Sequence, residues 1–109
     1  GIISCGPIRN KKCHTGSWIG KPLWHTGLMI EARLEILRWL FNDLCLNKVC
    51  CEIIDDNKRS QKHIAKFGFK KQGVFQKNVK INNKWQDQYY YELLSEQFDY
   101  NKLKKKLLK

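Results

Sequence analysis

The sequence predicts an α/β (α+β) fold in which a mixed, mostly antiparallel central sheet packs against two helices. Apolar residues between Ile30 and Leu44 recur at a spacing of three or four, as on one face of a helix. Residues 48–54 form a nearly continuous apolar run, which is typical of a buried strand with a parallel neighbour. Alternating residues on both sides of Asn82 and Asn83 indicate an antiparallel hairpin.

Composition limits the class of protein. At 109 residues the chain is one domain, and 42% hydrophobic with 12% aromatic residues is typical of a globular protein. No apolar run approaches the roughly 18 residues that a membrane span requires. The first residues also lack the pattern of a signal peptide. We therefore expect a soluble, cytoplasmic protein that makes no membrane contact.

The net charge is +11, because 21 Lys and Arg outnumber 10 Asp and Glu. Such an excess favours polyanionic partners, including phosphorylated cofactors and nucleic acids. The basic residues are scattered, so a solvated surface explains them at least as well as a binding stripe. A basic nucleic-acid-binding module, with Trp and Tyr for base stacking, stays open as an alternative. No nucleic-acid motif occurs, and nucleic acid is not the expected partner.

The cysteines indicate neither a disulfide framework nor a metal site. Their number is odd, two are adjacent, and most lie in apolar segments, which favours reduced, buried thiols. Zinc sites use paired C-x-x-C or H-x-x-x-H spacings, and neither occurs, so no metal is expected. The five residues are Cys5, Cys13, Cys45, Cys50 and Cys51.

Two short strands are predicted before the first helix. Residues 1–8 are rich in Ile and read as one strand, and residues 9–12 make a turn. Residues 13–20 read as the second strand, in which Gly16 and Gly20 are sites of bending or close backbone approach.

The first helix is predicted over roughly 27–45. Thr26 is a candidate N-cap, and Gly27 permits a tight turn, so that the first free N–H groups point into the loop. Unpaired donors and the positive end of the helix dipole attract anions. On the periodicity alone, an ordinary capped core helix is the favoured interpretation. The predicted core face consists of Ile30, Leu34, Leu37, Phe41 and Leu44.

The second half of the chain predicts a strand at 48–54 and a helix from Lys58 to Phe67, closed by Gly68. The hairpin strands run from Phe69 to Ile81 and from Trp85 to Leu94. Residues 96–109 form a basic tail that is expected to be helical and to cover the hairpin or a partner subunit. Its apolar members are Phe98, Leu103, Leu107 and Leu108.

The pattern W-x-x-G-x-M-x-E-A over residues 24–32 resembles the cofactor-binding signature of the GNAT family of N-acetyltransferases. The resemblance is to the branch that includes the ribosomal-protein N-terminal acetyltransferases. In that family the loop and helix start hold the pyrophosphate of acetyl-coenzyme A. The resemblance gives this role to Thr26, Gly27, Leu28 and Met29.

The pattern N-x-x-S-x-x-x-x-x-K-F-G-F over residues 57–69 is similar to the second signature of the family. The resemblance implies that Asn57 and Ser60 hydrogen-bond the cofactor arm, although Asn57 alone reads as a helix cap. Family members also receive that arm at a bulge in the strand before the cofactor helix. Trp18, Ile19 and Gly20 occupy this position.

Candidate catalytic residues follow from the same resemblance. Relatives often place a carboxylate on the splayed strand as the base, and here His14 stands at the matching place, where a surface histidine is the plainer interpretation. Many relatives carry a Tyr on the second helix to protonate the thiolate, and Ile64 stands there. The neighbouring His63 is the substitute candidate, provided that its ring faces the cofactor.

The resemblance spans residues 1–95 and corresponds to the later two-thirds of a full acetyltransferase domain. The segment that walls the acceptor-amine site in relatives has no counterpart, so we expect a fragment, a truncated product or a chain completed by self-association, such as a homodimer. The implied function is transfer of acetyl from acetyl-coenzyme A to a primary amine, on a protein N-terminus or a small molecule. A degenerate domain that binds coenzyme A without turnover is the alternative within the family.

Overall fold

The computed structural model describes the backbone of residues 2–5, 10–18 and 28–108, and the side chains of residues 10–15 and 29–108. A π-helical turn at Trp39–Asp43 continues the first helix, and a 3₁₀ turn at Ser95–Gln97 precedes the last one. The strands and helices are β1 (Ile2–Cys5), β2 (Lys12–Trp18), α1 (Leu28–Arg38), β3 (Lys48–Ile54), α2 (Lys58–Ala65), β4 (Lys70–Ile81), β5 (Lys84–Leu94) and α3 (Tyr100–Leu107).

The strands form one five-stranded sheet in the order β1-β2-β3-β5-β4. β2 and β3 run parallel, because α1 carries the chain back across the sheet between them. The pairs β1 with β2, β3 with β5, and β4 with β5 are antiparallel. The predicted mixed, mostly antiparallel sheet is therefore confirmed.

The two faces of the sheet differ in burial. Directly paired residues point to the same side of a sheet, and alternate residues of a strand point to opposite sides. One side, the core face, packs against α1 and α2; it carries Cys13, Thr15, Val49, Cys51, Ile53, Tyr91 and Leu93, which are all buried. The other side, the open face, carries His14, Cys50, Glu52, Tyr90 and Glu92.

The helix predicted over 27–45 ends earlier than expected, at Asp43. Its last turn is a π turn, in which the Leu44 N–H donates to the Trp39 carbonyl at 2.9 Å. A π turn holds more residues than an α turn and so rotates the following side chains around the axis. Leu44, which follows the turn, is consequently 38% exposed, whereas Leu40, three residues after the buried Leu37, is fully buried. The predicted core face was wrong at Leu44, and it omitted Leu40.

The hairpin prediction is confirmed. Asn82 and Asn83 both have positive φ angles, 51° and 63°, as a two-residue type I′ turn requires, and Ile81 pairs with Lys84. The ladder is interrupted by irregularities between Lys71 and Gly73 and between Phe75 and Val79. The extra residues strengthen the local twist of this hairpin.

The C-terminal tail is helical, as predicted, but it packs on α1 rather than over the hairpin. Asp99 caps α3 by accepting from the Lys102 N–H at 3.1 Å. The Phe98 ring lies 5.1 Å from the Phe41 ring, and the Tyr100 hydroxyl donates to the Glu35 carboxylate. These contacts join the tail to the same core.

The cysteine prediction holds in part. Cys13, Cys50 and Cys51 are buried, as predicted, whereas Cys45 is exposed, because it follows the π turn in a left-handed conformation with φ 53°. The prediction of a buried thiol was wrong at Cys45, and the side chain of Cys5 lies outside the described residues. None of the helices in the described ranges is long and apolar enough to cross a membrane.

The different burial of Leu40 and Leu44 predicts different effects of their substitution on stability. Leu40→Ala removes a fully buried side chain and should lower the free energy of unfolding by about 3 kcal/mol. Leu44→Ala, at an exposed position, should change it by less than about 0.5 kcal/mol. Urea unfolding followed by circular dichroism compares the two. Equal losses would contradict the rotated face.

Candidate active site

The strands β2 and β3 separate partway along their length. They pair at Lys12, Cys13 and His14, whose partners are Lys48, Val49 and Cys50, and no further pair joins these two strands. Beyond this point, β2 continues with β1 as its neighbour, and β3 stays paired with β5 as far as Ile54. A wedge-shaped opening therefore begins at Thr15. Its two edges carry backbone groups that lack a β2–β3 partner.

His14 and Glu52 lie on the open face where the strands separate. His14 Nδ1 is 3.5 Å from Glu52 Oε1, and the two side chains are 52% and 36% exposed. A proton on Nδ1 faces the carboxylate and leaves Nε2 as the proton acceptor. The pair can therefore take a proton from a group that reaches the opening from the solvent side.

Glu52 is a candidate functional residue that the sequence reasoning missed. It interrupts an otherwise apolar strand, and it is exposed while Val49, Cys51 and Ile53 are buried. A charged residue at an alternate position of a central strand was the signal that could have found it, since it predicts a polar spot on one sheet face.

His63 is not near His14; it lies on the core face, where its Nε2 accepts from Arg33 Nε at 3.2 Å. Arg33 is 3% exposed, and its Nη1 also donates to Thr15 Oγ1 at 3.4 Å. Arg33 thus links α1, α2 and the strand residue at which the opening begins. Burial, followed by the charge of Arg33, lowers the pKa of His63 to about 4, so the ring is neutral near pH 7.

Asn57 and Ser60 lie together at the start of α2. Asn57 Oδ1 accepts from the Ser60 N–H at 3.2 Å, so Asn57 is an N-cap. The amide nitrogen of Asn57 donates to no other group in the described ranges. Gln61 Nε2 donates to the carbonyls of Ile54 and Asp55 at 3.2 and 3.0 Å, which ties this helix start to the end of β3.

Other predicted cofactor residues are described only in part. The backbone of Trp18 ends β2, and the backbone of Leu28 begins α1, while Met29 is half-buried in its first turn. The first-turn N–H groups of α1 have no carbonyl partner within the helix. Ile19, Gly20, Thr26 and Gly27 lie outside the described residues.

Ile64 is 2% exposed and belongs to the hydrophobic core. Its side chain carries no proton that could be transferred, so α2 supplies no acid at this position. Among the side chains that the structure describes, no three His, Cys, Asp or Glu groups converge as metal ligands would.

A family model described as an acetyltransferase (GNAT) domain matches residues 1–70, more than half of the chain. The chain belongs to the GNAT family. This confirms the resemblance seen in the sequence, and the open pairing of β2 and β3 lies within the matched residues.

Individual N-acetyltransferases match the chain over less than half of their own length. The uncharacterized N-acetyltransferase YnaD of Bacillus subtilis (strain 168) is 29% identical over 83 residues, 75% of this chain and 49% of that protein. The ribosomal protein uS5-alanine N-acetyltransferase of Escherichia coli (strain K12) is 29% identical over 75 residues, 69% of this chain and 39% of that enzyme.

The fold is also shared with solved structures of the family. The crystal structure of the ribosomal-protein-S5-alanine acetyltransferase from Vibrio fischeri superposes with a TM-score of 0.81 at 24% identity. The match covers 89% of this chain and 55% of that one. The sheet that contains the opening between β2 and β3 therefore belongs to a fold that is known from an acetyltransferase.

The contact of Arg33 with His63 predicts how the pKa of His63 changes when Arg33 is replaced. Arg33→Met removes a neighbouring positive charge and should raise the pKa of His63 above about 4, although burial, the larger cause, keeps it below the ordinary 6.5. Imidazole resonances followed by NMR against pH measure it. Arg38→Met, which removes an exposed arginine of the same helix, should leave the His63 pKa unchanged.

The same pKa fixes the sign of a pH effect on stability. The folded-state pKa of about 4 lies below the unfolded value of 6.5, so the unfolded chain binds the proton first. The free energy of unfolding should therefore fall as the pH drops from 6.5 to 4. His63→Gln should remove that part of the decline; an unchanged decline would contradict the assignment.

Proposed function

We propose that this chain binds acetyl-coenzyme A in the opening between β2 and β3 and takes part in acetyl transfer to a primary amine. The observation that carries the proposal is the end of β2–β3 pairing after His14. An opening between two parallel strands exposes backbone donors and acceptors to which the amide groups of an extended cofactor arm can bind.

The residues around the opening fit the chemistry of this cofactor. The first-turn N–H groups of α1, which have no carbonyl partner within the helix, and the positive end of its dipole suit a pyrophosphate. The Asn57 amide nitrogen, which donates to no group among the described residues, suits a carbonyl of the arm, and the net charge of +11 favours a phosphorylated ligand. The family resemblance assigns contacts with the same cofactor to Trp18, Ile19, Gly20, Thr26, Gly27, Leu28 and Met29.

In this proposal, His14 and Glu52 remove the proton from the amine. An amine attacks only when it is neutral, so an ammonium group that enters the open face must first lose a proton. His14 Nε2 takes that proton, and Glu52 stabilises the resulting imidazolium through Nδ1. His63 has no such role in this proposal; it positions Arg33 and α2 on the opposite face. When bound, the cofactor supplies the acetyl group.

A second candidate, binding of coenzyme A without turnover, is favoured by Ile64. The side chain at this position is apolar and buried, so α2 provides no proton for a departing thiolate. The two candidates agree on cofactor binding and differ in amine-dependent release of thiol, which can be followed with a thiol-reactive dye.

Asn57→Asp tests the cofactor site. The carboxylate keeps the N-cap acceptor, so stability is maintained, but the donor is lost and a negative charge is added. Calorimetric titration with acetyl-coenzyme A should show a Kd raised about tenfold, as expected for loss of one hydrogen bond of about 1.4 kcal/mol.

Asp99→Asn is the control for that variant, because it changes the cap of α3, away from the opening, and should leave the Kd unchanged. Absence of acetyl-coenzyme A binding in the folded, unsubstituted chain at millimolar ligand would overturn the proposed function.

Glu52→Gln tests the proton acceptor pair. The amide keeps the shape but removes the charge that stabilises protonated His14, so kcat for amine acetylation should fall about 100-fold. The Kd for acetyl-coenzyme A should stay the same. Glu96→Gln, an exposed acid in the turn before α3, is the matched control. An unchanged kcat in Glu52→Gln would remove this pair from the mechanism.

A further inference from the structure

Three rings cross the open face of the sheet from the candidate proton acceptor outward. The His14 ring lies 6.3 Å from the Tyr90 ring, and the Tyr90 ring lies 5.8 Å from the Phe75 ring. These three residues, here called the aromatic strip, come from β2, β5 and β4, so the strip runs across the strands. The Phe75 end is 42% exposed.

The strand registers place the strip on the same side as Glu52. Glu52 pairs with Tyr90, and Phe75 pairs with Gln88, two residues before Tyr90 on the same strand. Residues two apart on a strand share a face. The strip is therefore continuous with the His14 and Glu52 pair, at which the proposed proton transfer takes place.

The middle ring is fixed in position. The Tyr90 hydroxyl donates to Cys50 Sγ at 3.0 Å, over the neighbouring strand. Burial and the contact with Cys50 raise the pKa of Tyr90, so the hydroxyl stays protonated and the hydrogen bond persists. A rigid ring gives a ligand a surface whose ordering costs little free energy.

The charges of this face favour one positive group. Glu92, the next acid on the face, is bound to Lys48 Nζ at 2.9 Å. Glu52 has the exposed His14 as its partner and is itself accessible to solvent. Among the described side chains of this face, a ligand with several positive charges would meet one carboxylate without a lysine partner, that of Glu52, and, at longer range, a chain of net charge +11.

We propose that the aromatic strip binds the acceptor, and that the acceptor is a single primary amine carried on an apolar or aromatic group. The amine lies at His14 and Glu52, and the adjoining group packs on Tyr90 and Phe75. Polyamines are poor ligands of this face. The inference rests on the proposed function, since it names the substrate class of the same site.

The test is an NMR titration of the full chain with phenethylamine and, separately, with spermidine, each with and without saturating coenzyme A. Phenethylamine should produce saturable shifts of the Tyr90 and Phe75 ring resonances, and spermidine should not. Phe75→Ala should raise the phenethylamine Kd about fivefold, which corresponds to about 1 kcal/mol for a lost ring contact.

Trp85→Ala is the matched control. Trp85 is an exposed aromatic residue of the same hairpin, 56% accessible, and lies outside the strip. The Trp85→Ala variant should bind phenethylamine with the same Kd as the unsubstituted chain. Equal losses in both variants, no saturable shift at the strip, or stronger shifts with spermidine would overturn the inference.

Failure of the proposed function has a different signature. The strip is built by this chain alone, so phenethylamine shifts without coenzyme A report on the strip even if the cofactor does not bind. Normal coenzyme A binding without shifts at the strip refutes the substrate class and leaves the cofactor site intact.

Discussion

The structure depends on an interrupted set of strand hydrogen bonds. β2 and β3 share three residue pairs and then separate, although each continues as a strand. Separation is stable because each strand is held from its far side, β3 by seven pairs with β5 and β2 by four pairs with β1. The base of the wedge is closed by the Lys11 carbonyl, which accepts from the N–H groups of Asn47 and Lys48 at 2.7 and 3.2 Å. The opening is thus fixed by the pairing of the sheet. The positions of the residues on its two sides depend on that pairing.

Different polar residues lie on the two sides of the sheet at the wedge. Arg33 fastens α1 to Thr15 and His63 on the covered side, where α1 and α2 lie. His14 and Glu52 stand on the solvent side. In the proposed function, the two reactants therefore meet from opposite directions, which lets one sheet bind a large phosphorylated molecule and a small amine without overlap. On the covered side a buried arginine, Arg33, and a neutral histidine, His63, join α1 to α2. The contact between the two helices therefore depends on the protonation state of the His63 ring.

Much of this arrangement could be predicted from local sequence signals. The Asn82 and Asn83 turn, the capping of α2 by Asn57 and the apolar run of β3 depend on neighbouring residues, and all three were read correctly. The π turn could not be predicted, because α-helical periodicity places Leu44, seven residues after Leu37, on the core face, and no local signal marks the turn that exposes it. The meeting of His14 with Glu52, and of Arg33 with His63, joins residues far apart in the chain, so spacing alone gave no sign of either pair.

The irregular edge of the sheet has a further consequence. β4 has a neighbour on one side only, so one edge of a long strand is left facing solvent. A flat edge of that length would template the addition of strands from other molecules, the first step toward aggregation. Here the two register breaks bend the edge, Lys77 adopts a left-handed conformation with φ 47°, and lysines recur along it at 70, 71, 77 and 80. The hairpin thus carries its own barrier to edge-to-edge polymerisation, and the exposed aromatic side chains beside it can remain open to ligands at high protein concentration.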